Sequence, residues 1–433
     1  MTRTRTAHCL EMGWKSNYSN EELDLSVAAT RRVVLMVGLF ILVLNSGSSS
    51  IKFSIFGTGD GDPRNLYEGS VDGIGTDEGE FWIKDAEGKK VVDETPTLPT
   101  RAAAFRLVSD ALHSKDFPAP TAIGHRMVSG GPTVQTNQRI TPALIEEMER
   151  YKAFAPLHTP IAIYIMREAI RLFPGIPNFV CLDTWFHRHM PEVVTRLPIP
   201  EEYAAMGVRR YGAHGLSYES IVYQLAPAVP RRLIVAHLGN GASIAAIRNG
   251  QGLDTSMGLT PLGGIISGTR TGDIDPGVLL FILRKIAESV RDATEAADRL
   301  EDEISKKAGL LGMSELSNDM RNLRDAIAHG NVKARLAVEK FTWTIAKWIG
   351  GYVAELGGLD MLVFTGGIGE NDIATRAEVC AGLGTLGITL DASRNNVQGA
   401  EVISADDSPV MVRVIPAAED LMIVNHVVRL LAE

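Results

Sequence analysis

The chain has 433 residues, 45% of them hydrophobic and 22% charged, which is the composition of a globular protein rather than a disordered or fibrous one. This length exceeds one ordinary hydrophobic core and predicts two domains. The formal net charge of −9 and the pI near 5.7 argue against a nucleic-acid-binding surface. Three cysteines, Cys9, Cys181 and Cys380, form neither a disulfide framework nor a metal-binding spacing, which favours a reducing cytoplasm.

Near the N-terminus, an apolar run has to be distinguished from a targeting signal. Arg31 and Arg32 precede the apolar run 33–44, as in a signal peptide. The run is too short to span a bilayer, and it leads into a polar loop without a small-residue cleavage pattern. We therefore interpret it as a buried first strand. Residues 1–32 are expected to be a disordered extension, or to lie upstream of a natural start at Met36.

Two distant segments predict the same strand–loop–strand unit. In the first, an apolar run at 41–44 and an alternating run at 51–55 flank a Gly/Ser-rich loop. In the second, runs at 233–236 and 244–247 flank the loop 237–243, in which closely spaced glycines let the backbone aim several N–H groups at one point, as phosphate-binding loops do. Because each loop joins strand to strand, neither is a P-loop or a Rossmann turn. The pair predicts a weak internal repeat, with one unit opening each domain.

Further helices and strands are predicted in chain order. Helical patterns occupy 100–112, 141–151, a segment ending near 173, 278–289, 295–308, 332–356 and 420–432. Short strands and turns are expected in 57–100, and strands in 122–131, 179–182, 361–364 and 412–415. The segment 199–220 is interpreted as a loop entering a helix, and 365–371 as a Gly-rich loop after a strand.

One pattern recurs at the ends of these strands, where loops, several of them Gly-rich, carry residues able to act on a ligand. These are Asn45, Arg126, Asp183, His214, His237, Arg270, Gly367 and Glu419. Two arginines, oxygen ligands and Gly-rich loops are what phosphoryl transfer needs, because that reaction depends on positioning and on neutralising charge, with Mg²⁺ held by oxygen atoms. Any one of them alone is also consistent with a cap, a turn or a core hydrogen bond. No Ser/His/Asp or Cys/His metal motif is present, and His187 and His189 lack a third ligand.

Taken in order, these motifs resemble the acetate kinase family, in the acetate/propionate/butyrate kinase group of the actin-like ATPase superfamily. The matching segments are 45–52, 124–126, 156–158, 183–187, 210–215, 237–241, 254–258, 268–276 and 367–371. The resemblance implies an α/β fold of two duplicated actin-like (ribonuclease H-like) ATPase domains, with the nucleotide in the cleft between them. The first domain would comprise 33–185, completed by the terminal helix 420–433. The second, 186–419, would bind the nucleotide and form a homodimer.

The resemblance also implies a role for each matching residue. Catalysis would use Asp183 to orient substrate or metal, His214 to stabilise the transition state, and Arg126 and Arg270 to bind the carboxylate and the transferring phosphoryl group. The substrate pocket would add Val128, Leu157, His158, Ala213 and Pro261. The nucleotide would contact Lys52, His237, Leu238, Gly239, Asn240, Gly241, Asp319, Met320, Arg321, Gly367, Ile368, Gly369, Glu370 and Asn371. Asn45 and Glu419 would position Mg²⁺, or Mn²⁺ in its place.

The implied reaction is reversible transfer of the γ-phosphoryl group of ATP to acetate, giving acetyl phosphate and ADP. The protein would act in the cytoplasm and would bind neither nucleic acid nor a membrane. Departures from the family pattern occur at Ser129, Thr159, Trp185, Ala213, Gly263 and Ala417–Ala418. Alanine in place of the usual Phe at 213 would widen the acyl pocket, so propionate or butyrate is an alternative substrate, unless Trp185 refills the space. The sequence is also compatible with a different enzyme of the superfamily, such as a sugar kinase or exopolyphosphatase, and with a non-catalytic homologue.

Overall fold

The structure, a computed structural model, describes residues 38–433 except Ser48, Asp60, Lys115 and Leu157. The expectations for residues 1–32, for a start at Met36 and for Leu157 in the substrate pocket therefore lie outside the described residues.

The first sheet has eight strands among the described residues. They are β1 (Phe40–Ser46), β2 (Ser50–Gly57), β3 (Arg64–Asp72), β4 (Glu80–Asp85), β5 (Lys90–Glu94), β6 (Ala122–Met127), β7 (Gln138–Arg139) and β8 (Asn178–Leu182). In space they follow the order β5-β4-β3-β2-β1-β6-β8-β7. β1 is apolar from Ile41 to Leu44 because both faces of the sheet are covered: Leu42 and Leu44 belong to one core, Ile41 and Val43 to another.

The second sheet has five strands and completes the β-structure of the described chain. They are β9 (Arg232–Leu238), β10 (Ala242–Arg248), β11 (Gln251–Thr255), β12 (Met361–Thr365) and β13 (Met411–Val414), in the spatial order β11-β10-β9-β12-β13. β9 pairs antiparallel with β10 and parallel with β12, which also pairs parallel with β13.

Both sheets share one plan, which confirms the internal repeat. In the first sheet, β3 pairs antiparallel with β2 and β2 with β1, whereas β1 pairs parallel with β6 and β6 with β8. The five strands of the second sheet, β11-β10-β9-β12-β13, repeat this series of two antiparallel and two parallel pairings. The α/β fold class and both predicted hairpins are therefore confirmed. In each sheet, the hairpin loop lies at the same edge as the carboxyl ends of the parallel strands, which brings the loop residues of one sheet to one place.

Helices cover the sheets. They are α1 (Arg101–Leu112), α2 (Pro142–Arg150), α3 (Thr159–Leu172), α4 (Glu192–Thr195), α5 (Glu201–Ala205), α6 (Gly215–Leu225), α7 (Pro276–Ala287), α8 (Ala293–Ser305), α9 (Gly309–Ser314), α10 (Met320–Ala328), α11 (Val332–Leu356), α12 (Gly366–Asn371), α13 (Ile373–Ala381), α14 (Ala392–Asn395) and α15 (Glu419–Ala432). The long α11 packs on the second sheet through Phe341, Ile345 and Ile349. The terminal α15 packs on the first sheet, where Ile423 and Val427 join its core. In the part of the chain that the structure describes, no helix is long and apolar enough to cross a membrane.

The prediction of a loop at 365–371 is wrong, because residues 366–371 form the short helix α12. Its three glycines have low helix propensity, so the sequence signal is weak. Tertiary contacts supply the missing stability. The buried Arg376 donates from Nη1 to the carbonyl oxygens of Gly369 and Glu370, both at 2.9 Å, at the helix C-terminus. The Glu370 carboxylate accepts the N–H of Gly366 at its N-terminus.

Candidate active site

A cavity of about 200 Å³ lies where the strand ends of the two sheets face each other. Its lining residues are Asn45, Ser46, Gly47, Arg126, Val128, His158, Ala162, Asp183, Ala213, His214, Gly241, Pro261 and Arg270. All four residues predicted to be catalytic are among them. Of those predicted for the substrate pocket, only Leu157 is missing, and it lies outside the described residues.

Arg126 forms the charged centre of this cavity. It stands in β6, next to β8, whose end delivers Asp183. Its Nε lies 3.2 Å from both carboxylate oxygens of Asp183, and its Nη2 lies 2.8 Å from Oδ2. Its Nη1 lies 3.0 Å from Oε2 of Glu419, the first residue of α15. One guanidinium group thus holds two carboxylates that arrive from distant parts of the chain.

The electrostatics of this trio follow from its burial. Burial alone would lower the pKa of Arg126, but Asp183 and Glu419 outweigh it and raise that pKa, so the guanidinium stays charged. Burial raises the pKa of Asp183 above its ordinary value, and Arg126 only partly offsets this effect. The contact with Arg126 is therefore what allows a buried carboxylate at this position to carry charge.

His214 reaches the cavity from the start of α6. Its backbone is left-handed, with φ of 56°, and it turns the chain directly into the helix. The next residue has to be glycine, because a Cβ at Gly215 would lie 1.9 Å from the carbonyl oxygen of Asp183. This close approach fixes His214 beside the end of β8.

The His214 ring is held by neighbours on the second sheet. Its Nδ1 lies 2.8 Å from Oγ of Ser243 in β10, and its ring stacks on that of His237 with centroids 4.3 Å apart. His237 Nδ1 in turn lies 2.8 Å from Oγ of Ser217. Burial lowers the pKa of His237 to about 4, and burial together with His237 lowers the pKa of His214 well below its ordinary value. Both imidazoles are neutral near pH 7.

Arg270 supplies the second guanidinium group of the cavity. Its Nη2 lies 3.3 Å from Nε2 of His158, and its Nη1 donates to the carbonyl oxygen of Pro261 at 3.4 Å. Gly241 leaves the space in front of it open, since a Cβ there would lie 3.2 Å from Arg270 Nη1 and 3.4 Å from His214 Nε2. Arg270 and His214 therefore border one point, as expected if both bind the same group.

An apolar wall closes one side of the cavity and is formed by Val128, Ala162, Ala213 and Pro261. Ala162, in α3, was not predicted, because an alanine within a helical pattern carries no chemical signal. The suggestion that Trp185 refills the space at Ala213 is wrong. The Trp185 ring stacks on the Arg188 guanidinium, 3.8 Å from the ring centroid, and lines a separate cavity.

The predicted nucleotide residues surround the β9–β10 turn. The carbonyl oxygen of Asn240 accepts the N–H of Gly268 at 3.0 Å, and its Oδ1 accepts from Asn318 Nδ2 at 2.9 Å. The second bond ties the turn to the residue just before the cap of α10, where Asp319 caps the helix by accepting the N–H of Arg321. Gly241 lines the small cavity, and the other residues of this group lie outside its lining: Leu238 and Met320 have their side chains in the core, whereas Lys52, Arg321 and Gly367 are exposed.

Glu370 contacts the protein rather than the open cleft. Its Oε1 accepts the N–H of Gly366 at 2.8 Å and that of Ala417 at 3.2 Å. The same loop is also held by Ser220 Oγ, which accepts the N–H of Ala418 at 3.1 Å. Glu370 thereby links α12 to the loop that positions Glu419.

The oxygen ligands near the cavity suit Mg²⁺. The structure places Asn45 and Asp183 in the lining and Glu419 against Arg126, so an amide and two carboxylates are close together. Among the described residues no cluster of three or more His, Cys, Asp or Glu could hold a metal ion by itself. Mg²⁺ usually needs no such cluster, since one or two carboxylates, waters and substrate phosphates complete its shell. Asp420, which the sequence motifs did not single out, adds a further carboxylate and accepts from Ser54 Oγ at 2.7 Å.

Comparison with known proteins agrees with this site. The profile of the acetokinase family matches residues 40–425. The chain belongs to the acetokinase family. An acetate kinase of Geobacillus sp. (strain WCH70) is 40% identical over 403 residues, which cover 90% of this chain and 98% of the relative.

Solved structures of this family share the fold. The acetate kinase of Porphyromonas gingivalis is 38% identical, with a TM-score of 0.78 over 91% of this chain and 100% of that one. A propionate kinase from Francisella tularensis subsp. tularensis SCHU S4 is 34% identical, with a TM-score of 0.81 over 90% of this chain and 98% of that one. The predicted family and the actin-like fold are confirmed, and as an acetokinase the protein is an enzyme that transfers phosphoryl groups.

Proposed function

We propose that this acetokinase transfers the γ-phosphoryl group of ATP to acetate, reversibly, giving acetyl phosphate and ADP. The observation that carries the proposal is the cavity itself, in which Arg126 and Arg270 meet a neutral histidine and a small apolar wall. A short carboxylate needs this combination, because its charged end binds guanidinium groups and its methyl group binds Val128, Ala213 and Pro261. Two guanidinium groups facing one small cavity suit an anionic carboxylate better than an uncharged sugar, so the cavity argues against a sugar kinase.

The chain's own groups do most of the work by positioning and by neutralising charge. Asp183 and Glu419 already hold the guanidinium group of Arg126 in place, so this group would lose little conformational freedom when the substrate binds. Arg270 and His214 border the point where the transferring phosphoryl group would lie between the acetate oxygen and ADP. Their donors would neutralise charge that spreads over the equatorial oxygens in the transition state.

Mg²⁺ is the cofactor we propose, held by Asn45, Asp183 and Glu419. When bound, it would shield the charge of the ATP phosphates. Mn²⁺ prefers similar oxygen ligands and would serve in its place. The turn 239–241 and the start of α10 are the segments we assign to the nucleotide.

The test is a coupled assay in which hydroxylamine traps acyl phosphate as the hydroxamate. With Mg–ATP and acetate the enzyme should form hydroxamate, and Arg270→Ala should form far less. A protein that forms no hydroxamate with acetate, propionate or butyrate, yet hydrolyses ATP or phosphorylates a sugar, would contradict the proposal. No turnover of any kind would favour a non-catalytic homologue.

Propionate is the second candidate substrate, and one observation favours it. Two alanines, Ala162 and Ala213, stand in the apolar wall, and Trp185 leaves that wall unfilled. A longer acyl chain would gain contacts there without displacing a side chain.

The quaternary and domain organisation is also proposed. The first domain would comprise residues 33–185 with 420–433, and the second would comprise 186–419. This division is supported by the packing of α15 on the first sheet.

A homodimer is supported by α7, where Val278, Leu280 and Phe281 are 44%, 52% and 63% exposed. Phe281→Glu should then yield a monomer in sedimentation analysis.

A cytoplasmic location is supported by the buried free thiols of Cys181 and Cys380.

A further inference from the structure

Behind His214, two fully buried hydroxyl groups form a chain that the transfer mechanism does not use. Tyr218 follows His214 by one helical turn in α6, and its hydroxyl contacts Oγ of Ser243. Ser243 Oγ contacts Nδ1 of His214 at 2.8 Å. Both Tyr218 and Ser243 are 0% exposed, so neither hydroxyl can exchange its partner for water.

The directions of these hydrogen bonds follow from counting hydrogens. If His214 carried its proton on Nδ1, it would donate to Ser243 Oγ, and Ser243 would have to donate onward to Tyr218. The Tyr218 hydroxyl, the more acidic donor, would then have to donate to Thr255, its other hydroxyl neighbour, instead of Ser243. In the opposite direction Tyr218 donates to Ser243 and Ser243 donates to Nδ1, so the chain runs from its most acidic hydroxyl to the imidazole lone pair, its strongest acceptor. Buried groups favour this direction, because it leaves neither the phenol hydrogen nor the ring nitrogen without a strong partner.

We infer that Tyr218 and Ser243 are positioning residues that hold the proton of the neutral His214 on Nε2. Nε2 is the ring atom on the side of Gly241 and Arg270, since a Cβ at Gly241 would lie 3.4 Å from it. The imidazole therefore offers an N–H, not a lone pair, to an anionic oxygen beside Arg270. A neutral imidazole protonated on Nδ1 instead would repel that oxygen.

The adjacent His237 provides an internal comparison. Its ring stacks on that of His214, but its Nδ1 has its own hydroxyl partner, Ser217 Oγ, at 2.8 Å. Ser217 and Ser243 are both fully buried. Replacing one or the other by alanine makes the same chemical change beside one histidine at a time.

The experiment reads the tautomer directly and does not depend on turnover. Enzyme labelled with ¹⁵N-histidine is examined by NMR near pH 7, where the shifts of the two ring nitrogens report which one carries hydrogen, and His214→Gln assigns the signal. We expect the Nε2–H form at His214 in the parent. Ser243→Ala should shift His214 towards the Nδ1–H form, and Tyr218→Phe should do so to a smaller extent. Ser217→Ala should change the His237 signals and leave the tautomer of His214 unchanged.

Kinetics then test whether the tautomer matters for the reaction, and this part rests on the proposed function. Ser243→Ala should lower kcat roughly 10- to 100-fold with little change in KM, the range seen when a partner that orients a metal-bound histidine is removed. Tyr223→Phe is the control, because it removes a hydroxyl from the same helix that bonds Asp62 outside the cavity.

An Nδ1–H tautomer in the parent, or a His214 signal unmoved by Ser243→Ala, would overturn the inference. So would a shifted tautomer with undiminished kcat. A parent enzyme without acyl phosphate formation would instead refute the proposed function, and the NMR result would still decide the tautomer.

Discussion

Arg126 is the residue on which the two carboxylates of the site depend. Its guanidinium group contacts the fully buried Asp183 and the largely buried Glu419. Arg126→Ala leaves both carboxylates without this partner and should cost about 3–5 kcal/mol of unfolding free energy, besides abolishing most turnover. Urea unfolding and the hydroxamate assay measure the two effects.

The matched variant is Arg270→Ala. Arg270 contacts His158 and a carbonyl oxygen, so its loss should lower kcat severely with little effect on stability. Lysine at either position should restore little activity, because a point charge does not replace a planar fork. Near-normal turnover in both alanine variants would contradict the assignment of the site, and equal stability of the two would contradict the role of Arg126 as a link.

Ala213 is predicted to set the preferred acyl chain length. Each methylene that finds apolar room gains about 0.8 kcal/mol, or about fourfold in kcat/KM, so propionate should rival acetate in the parent enzyme. Ala213→Phe should fill the wall and shift the preference towards acetate. The ratio of kcat/KM for the two acids is the measurement.

Trp185→Ala is the control for this prediction, because the Trp185 ring lies against Arg188 and outside the cavity. It should leave the ratio unchanged. A ratio that responds to Trp185 and not to Ala213 would show that the wall is elsewhere.

At this scale, sequence motifs predicted several charged and polar residues that line the cavity and missed the packing around them. Arg126, Asp183, His214 and Arg270 lie in or beside recognisable sequence motifs, and the fold brings them to one cavity. The orientation of Trp185 depends on Arg188 and on His426 in the last helix, and a local pattern contains no such information. Tyr218 and Ser243 were not predicted because each occupies an ordinary buried position of its element.

Among the elements, α12 and the loop before α15 are linked by Glu370. Its Oε1 accepts N–H groups from Gly366 and Ala417. Glu370→Ala should free this loop and with it Glu419. Because hydrogen bonds to a charged acceptor are worth about 1.5–3 kcal/mol, we expect KM for Mg–ATP to rise by about tenfold or more.

The graded control is Glu370→Gln, which keeps one acceptor oxygen and should raise KM less. Titration of Mg²⁺ at fixed ATP should follow the same order. Parent-like constants in Glu370→Ala would mean that Ser220 alone holds the loop.

Element prediction succeeded where periodicity was strong and failed where tertiary contacts decide. The hairpins follow from short apolar or alternating runs, and the long α11 follows from helical spacing. α12 was predicted as a loop because glycine disfavours helix, and the stabilising Arg376 lies beyond the segment in sequence. α10 was missed because only a short apolar face, including Met320 and Leu323, is buried.

For the whole molecule, duplication of one sheet plan creates the site. Each copy brings a hairpin loop and parallel strand ends to one edge, and the two edges face each other across the cavity. The cavity lining is therefore drawn from both sheets, with Arg126 and Asp183 from the first and Gly241 from the turn between β9 and β10 of the second. Histidines are also buried outside this cavity, among them His125 and His187, which makes the stability of the molecule sensitive to protonation.

Acid should destabilise the whole fold through its buried histidines. Burial lowers the pKa of His125, His187 and His237 to about 4 in each case. An unfolded histidine has a pKa near 6.5, so below that pH the unfolded chain binds protons that the native protein does not. The contribution of these buried histidines to the unfolding free energy is fully present above about pH 6.5 and is lost as the pH falls towards about 4. At pH 5 the loss is about 2 kcal/mol per histidine.

His125 allows this effect to be isolated, because it lies outside the cavity and its Nε2 donates to Asn178 Oδ1 at 2.7 Å. His125→Gln retains a donor and does not titrate, so the decrease in unfolding free energy from pH 7 to pH 5 should shrink by about 2 kcal/mol. Glu355, whose pKa burial and Asp254 raise to about 7, acts in the opposite direction in both proteins and cancels in the difference. An identical dependence in His125→Gln and the parent would show that His125 is charged in the native protein or accessible to water.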